Sequence, residues 1–375
     1  MATDGQEEKG DNFGTPLACD KFMLQGKEFY PGEAGETIIS LGRSLAHAEV
    51  SVPIYVKRGL LPGPRLVVIA GIHGDEINGI AIIRRLLDLH SVHPERGDLI
   101  AIPVANIPAF HFRTRYLPDR RDLNRLFPGT TQGSLGSRLA RLLVDEVISQ
   151  ATHVIDLHSG VENRTNFPHV RIHSSHPGAL ALANAFGTPV ALDSLAPEGS
   201  LRSLQKTLGI PILNFEGGAA KRFDNHTLRH GLRGIIGVMA ALDMLPVPIS
   251  GKHPHFNKPL IARKSLWMRA PVGGLFHSEV SLGQIVEPGT VLARVIDPFS
   301  SHSQLIVSSQ QALVLGMSKQ AFTDAGDAVI NLAMIRSVEE ASLALHSAKV
   351  WLKSMPKPME VEHAFEGVAF PPLRH

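Results

Sequence analysis

The sequence predicts an α/β protein, with a mixed sheet covered by helices on both faces and a C-terminal all-β domain after it. Three observations carry this. Short apolar runs such as "RLVVIAGI", "DLIAIPVAN" and "THVIDLHSG" alternate with segments whose apolar residues recur at helical spacing. Strands alternating with helices build layered sheets with buried parallel strands. At residues 246–259, "PVPISGKHPHFNKP", Pro, Gly and His cluster, and beyond this linker the pattern is β. A chain of 375 residues also exceeds the usual size of one core, so two domains are expected.

In chain order, residues 1–36 show little periodicity and are expected to form an extended, partly disordered arm. The α/β domain is placed at 37–250. It opens with two β segments in "TIISLGRSLAHAEVSVPIYVKRG" that end at a turn, "GLLPGP". "RLVVIAGI" is a strand, and "EINGIAIIRRLLDLH" a helix with Ile77, Ile80, Ile83, Leu86 and Leu87 on its apolar face. "DLIAIPVAN", "THVIDLHSG", "HVRIHSS" and "IPILNFEGG" are further strands; "SRLARLLVDEVISQ", "PGALALANAFG" and "LRHGLRGIIGVMAALDML" are further helices. The β domain is placed at 251–340 and a loosely packed tail at 341–375. Within the β domain "VEPGTVLARV" is echoed by "TDAGDAVINL", with Gly289 and Gly326 in matching places. Two such half-repeats resemble the barrel-sandwich of biotinyl and lipoyl carriers. Carriers present a modifiable Lys at a hairpin tip, and "IDPFSSHSQLI" has none. A structural or substrate-gating role is expected instead.

Charge and composition exclude several classes. A net charge of +2 is too small to mark a nucleic-acid or anionic-membrane partner. The single cysteine, Cys19, forbids an intrachain disulfide and suits a reducing compartment. The N-terminal "MATDGQEEKGDNFG" lacks the apolar core of a signal peptide, and no apolar run approaches the roughly 20 residues that span a bilayer. A cytoplasmic setting is expected, and a homo-oligomer would bury the edges of the β domain.

Chemistry concentrates at the predicted strand ends. "HGDE" places His73 and Glu76 three residues apart where a strand gives way to a helix. With 19 histidines, about one His-x-x-Glu pair arises by accident, and the bland reading has Asp75 as the helix N-cap. Position favours a metal: open α/β sheets bind ligands at the carboxyl ends of strands, and His158 in "VIDLHSG" ends another. Two His and one Glu with an open fourth position is a recurring catalytic zinc arrangement. "RTRYLPDRRDLNRLFPG" (113–129) carries five Arg, two Asp and an Asn; such runs are usually solvated, yet "DLNR" sets an amide beside a guanidinium suited to carboxylates. Glu216 ends the strand in "LNFEGG", as a capped loop residue or as a base whose pKa burial raises.

In order, "AGIHGDEINGIAIIRRL", "PVANIPAFHFRTRYLP", "DLNRLFPG", "IDLHSG" and "FEGG" resemble the succinylglutamate desuccinylase/aspartoacylase family of zinc-dependent deacylases, relatives of the zinc carboxypeptidases. The resemblance runs from about residue 45 to 245. It implies a zinc-carboxypeptidase-like sheet and one Zn²⁺ per chain on His73, Glu76 and His158. It also implies Glu216 as general base, Arg115 polarising the scissile carbonyl, and Asn124 and Arg125 holding a substrate carboxylate. Asp122 is then the partner that orients a ligating histidine. The expected activity is removal of an acyl group from an N-acyl amino acid or related small amine. A metallocarboxypeptidase and a non-catalytic zinc- or ligand-binding protein are the alternatives. Arg113, Arg120 and Arg121 are read as solvated, His169 and His173 as packing residues, Asp156 as a site support or an arginine partner, and Cys19 is given no role.

Overall fold

The computed structural model describes residues 21–43, 47, 49–246 and 258–354. Cys19, most of the 246–259 linker and the chain beyond 354 lie outside the described residues. A 13-stranded mixed sheet dominates. Its central strands are Arg96–Ile102, Leu61–Ala70, His153–Gly160 and Ile212–Ala219, in that order and mutually parallel. Glu49–Arg58 and Ala34–Arg43 continue it antiparallel on one side. Arg164–Ile172, also antiparallel, follows Ile212–Ala219 on the other.

Both faces of the central strands are buried, which is why they read as unbroken apolar runs. Leu66, Val68, Ile155, Leu213 and Phe215 meet the helices Ile77–Asp88, Ala179–Phe186 and Asn225–Ala241. Val67, Ile69, Val154 and Ile212 point the other way, into a core with the helix Leu135–Glu146. Asp156 and His158 share strand parity with Val154, and Asn214 and Glu216 with Ile212, so the polar groups of the two strands emerge on one face.

Four expectations need correction. Residues 21–36 are not a loose arm: Phe22–Leu24 and Lys27–Phe29 form a hairpin whose Phe22, Leu24 and Phe29 are buried. "GLLPGP" is not a turn, because the strand Leu61–Ala70 begins inside it; a register shift between Leu61 and Arg65 accommodates two prolines that cannot donate to the ladder. The C-terminal β segment is not detached from the sheet. Ala312–Ser318 pairs with Arg164–Ile172, and Leu260–Ala262 with Val190–Asp193, while Ser303–Val307, Val291–Ile296, Gly274–Ser278 and Phe322–Thr323 make a second, 4-stranded sheet. The expected tail opens with a helix, Val338–Ser354, that buries Ala341, Ala348 and Trp351. The half-repeat is visible in the backbone: Gly289 and Gly326 take φ of 90° and 89° in matching turns before Val291–Ile296 and Ala328–Met334.

Candidate metal centre

The loop after Leu61–Ala70 is fixed by its neighbour. Ala105 N and Asn106 N donate to Ala70 O and Gly71 O, and Asn106 Nδ2 donates to Ile72 O. Gly74 packs so closely on the helix Ile107–His111 that a Cβ would lie 2.0 Å from the Ala109 carbonyl carbon. This fixes the rise of the chain between His73 and Glu76. Asp75 is not the helix cap: Glu76 occupies the N-cap position without a side-chain cap bond, and the buried Asp75 Oδ1 makes no hydrogen bond. The cap expectation fails because Asp75 points into packed structure, and burial raises its pKa.

His73, Glu76 and His158 converge, all buried. Their nearest donor atoms are His73 Nδ1 and His158 Nδ1, 3.2 Å apart, with Glu76 Oε1 2.7 Å from the first and Oε2 2.9 Å from the second. Ser159 N also donates to Glu76 Oε2. A tetrahedral ion with bonds of about 2.0–2.2 Å sets its ligands roughly 3.3–3.5 Å apart. These atoms stand somewhat closer, at 2.7–3.2 Å, and it is the donor set, two imidazole nitrogens and one carboxylate, that fits zinc. The far side of each ring agrees. Asp122 Oδ1 is 3.2 Å from His73 Nε2, and Asp156 Oδ2 is 2.8 Å from His158 Nε2. The Asp122 contact is a hydrogen bond and the Asp156 contact an ion-pair approach; an Nε2 proton facing these carboxylates leaves Nδ1 as the lone-pair nitrogen facing the cradle.

Electrostatics follow from this crowding. Burial opposes ionisation of Glu76, but His73 and His158 outweigh it and hold its pKa far below the usual range. Burial likewise pulls both histidines down, yet Glu76 and Asp122 raise His73, and Asp156 and Glu76 raise His158 well above its ordinary value. Arg115 closes the cradle: its Nη2 is 2.7 Å from Asp122 Oδ2 and its Nη1 3.4 Å from Glu76 Oε1.

Glu216 is the register partner of His158 on the neighbouring parallel strand. Burial raises its pKa, against the nearby Arg171 guanidinium, whose Nε lies 3.6 Å from Oε1. Asn166 Nδ2 donates to Glu216 Oε2 at 3.1 Å. Asn124 and Arg125 lie on a short 3-10 turn, Leu123–Arg125, capped by Asp122. Asn124 Oδ1 accepts from Leu201 N, which leaves its Nδ2 end to donate elsewhere; Arg125 is exposed and its Nη1 bonds Asn124 O. Arg113, Arg120 and Arg121 are exposed. His169 is buried with Nδ1 on Phe167 O, and burial pushes its pKa down to about 3; His173 faces Ser175 Oγ.

Several contributors escaped the sequence reading. Asn78, at the start of the helix, donates to Ser159 Oγ, Ala219 O and Arg222 O and accepts from Asp224 N, tying two strand ends to the loop before Asn225–Ala241. Asn166 and Arg171 reach Glu216 only through strand pairing. Arg202 is buried and donates to Ser194 O and Leu195 O, fixing the loop that receives Asn124; burial lowers its pKa to about 10. "EING", with a polar residue on an apolar helix face, was the one local signal for Asn78.

Residues 62–242 match the succinylglutamate desuccinylase/aspartoacylase catalytic domain. The N-alpha-acetyl-L-2,4-diaminobutyric acid deacetylase of Halomonas elongata is 29% identical over 265 residues, 67% of this chain and 76% of that protein. Among solved structures, a succinylglutamate desuccinylase/aspartoacylase from Rhodobacter sphaeroides superposes with a TM-score of 0.70 at 25% identity, over 81% of this chain and 96% of its own. The product-bound ectoine utilization protein of Ruegeria pomeroyi shares the fold with a TM-score of 0.72 at 22% identity, over 87% and 100%. Among the described residues no helix is long and apolar enough to cross a membrane.

Proposed function

This chain belongs, through residues 62–242, to the succinylglutamate desuccinylase/aspartoacylase family, and we infer that it is a zinc-dependent amidohydrolase removing an acyl group from a small N-acyl amino acid or amine. The observation that carries this reading is the convergence of two Nδ1 atoms and Glu76, each ring backed by an aspartate, with Glu216 one strand away in register. His73, Glu76 and His158 would hold the ion. When bound, zinc supplies a water whose pKa falls to about 7 and Lewis acidity for the carbonyl.

The side chains do the rest. Glu216 accepts the proton of the attacking water as the new C–O bond forms, and returns it to the amine nitrogen as the C–N bond breaks. Its raised pKa keeps it basic enough for the first transfer and acidic enough for the second. Arg115, a permanent cation at the rim of the cradle, meets the negative charge that develops on the carbonyl oxygen. Asn124 Nδ2 and Arg125 hold a carboxylate of the substrate. The deacetylase activity named for the Halomonas elongata relative favours acyl-amino-acid hydrolysis over peptide trimming. A base and an oxyanion partner are superfluous in a mere binding protein.

Hydrolysis of N-acetyl, N-succinyl and N-formyl amino acids and diamines by the zinc-loaded protein tests the reading. Release of free amine from at least one small acyl amine, abolished by chelation and restored by zinc, is expected. Cleavage of C-terminal residues from peptides with no turnover of small acyl amines would instead make it a peptidase.

A further inference from the structure

We propose that Asn166 is a positioning residue for Glu216 and that the C-terminal β segment holds it in place; this rests on Glu216 being the base. Asn166 sits on Arg164–Ile172 between two glycines. Its register partner on Ile212–Ala219 is Gly218, and its partner on Ala312–Ser318 is Gly316. The pairing is irregular at this level: three residues from Asn166 to His169 oppose two from Gly218 to Glu216, and Ala312–Ser318 carries an extra residue between Val314 and Gly316 against Ala328–Met334. Bulges of this kind re-aim side chains.

Across the bulge on its own strand, Asn166 Nδ2 reaches Glu216 Oε2 at 3.1 Å. An ionised carboxylate only accepts, so the amide must present its NH₂ to it. On the other side Gly316 leaves room for the amide oxygen. A Cβ there would lie 2.9 Å from Asn166 Oδ1, whereas its next contacts, Thr165 O and Asn331 Cβ, are at 3.4 and 3.5 Å. A methyl group at 316 therefore presses on the Asn166 amide and on little else. Strand 312–318, over a hundred residues from the metal ligands in sequence, thereby sets the orientation of the base. The charged groups around Glu216 are Arg171 and Arg202 and, on the metal side, His73, Glu76 and His158; Asn166 is the neutral donor among them.

The test is a double-mutant cycle on kcat with the zinc-loaded full chain. Asn166→Ala lowers kcat about ten- to a hundredfold, the size of one hydrogen bond to a charged group, with KM and zinc content unchanged. Gly316→Ala lowers kcat several-fold in the native background and has no further effect beside Asn166→Ala. Asn166→Asp, close to isosteric, sets a second carboxylate against Glu216 and moves the acid limb of kcat/KM to higher pH. Equal losses from Gly316→Ala in both backgrounds would show that residue 316 acts on the fold alone and overturn the coupling. A native kcat and pH profile in Asn166→Ala and Asn166→Asp, with Glu216→Ala inactive, would overturn the positioning role. An active Glu216→Ala would instead remove the base reading on which both rest.

Discussion

His73 and His158 bring their Nδ1 atoms to 3.2 Å of each other while Asp122 and Asp156 stand behind their Nε2 atoms. Each ring has a carboxylate beside its far nitrogen, an arrangement that favours the tautomer with Nδ1 free to coordinate. Asp156→Ala is therefore expected to weaken zinc binding about ten- to a hundredfold, as loss of a partner behind a ligating ring does elsewhere. Competition against a fluorescent chelator measures it, and an unchanged affinity would mean that the aspartate does not orient the ring.

The crowded carboxylates raise both histidines above the ordinary imidazole value, so protons compete with the ion. A proton on either Nδ1 blocks coordination. Zinc affinity should thus rise with pH through and beyond 6.5, with protons released on binding. Calorimetry in buffers of different ionisation enthalpy counts those protons; affinity independent of pH between 6 and 8 would refute the assignment.

Burial raises the Glu216 carboxyl, and the Arg171 guanidinium opposes it. The base must be ionised, so kcat/KM is lost as pH falls through a value above 4.5. Arg171→Met removes the opposing cation and should move that acid limb to still higher pH. A limb that stays in place would show that Arg171 does not act on Glu216.

Gly74 lies against the Ala109 backbone, with no room for a methyl group. Gly74→Ala is expected to cost about 2 kcal/mol or more, since overpacking against backbone cannot relax by a rotamer change. Denaturant unfolding measures the loss, and the loop shift should also reduce zinc content.

What could be read from residues alone, and what could not, divides by distance along the chain. His73, His158 and Glu216 announced themselves because each ends an apolar run, and a strand end is visible locally. The α/β layering was legible for the same reason, since strands buried on both faces read as unbroken apolar stretches. Asp156 lies on the face of His158 by strand parity, but whether it meets that ring or an arginine is decided by the packing of distant segments. Asn166 and Arg171 were invisible as site residues because their link to Glu216 runs through strand register, 50 residues along the chain in the case of Asn166. The N-terminal hairpin did leave a signal: Gln25 and Gly26, both at positive φ, form the two-residue turn that such hairpins favour. Its three-residue strands were too short for periodicity to mark. The joining of 312–318 to the main sheet is a pairing between distant segments that no local pattern encodes.

In the proposed mechanism a zinc held by His73, Glu76 and His158 works with Glu216 as its base. Zinc content and turnover of an N-acetyl amino acid, measured together on Glu216→Gln, test it most directly. One zinc per chain is expected, as in the native protein, with turnover reduced by about 10²–10⁴-fold. Native turnover in Glu216→Gln, or native turnover in protein stripped of its metal, would contradict it.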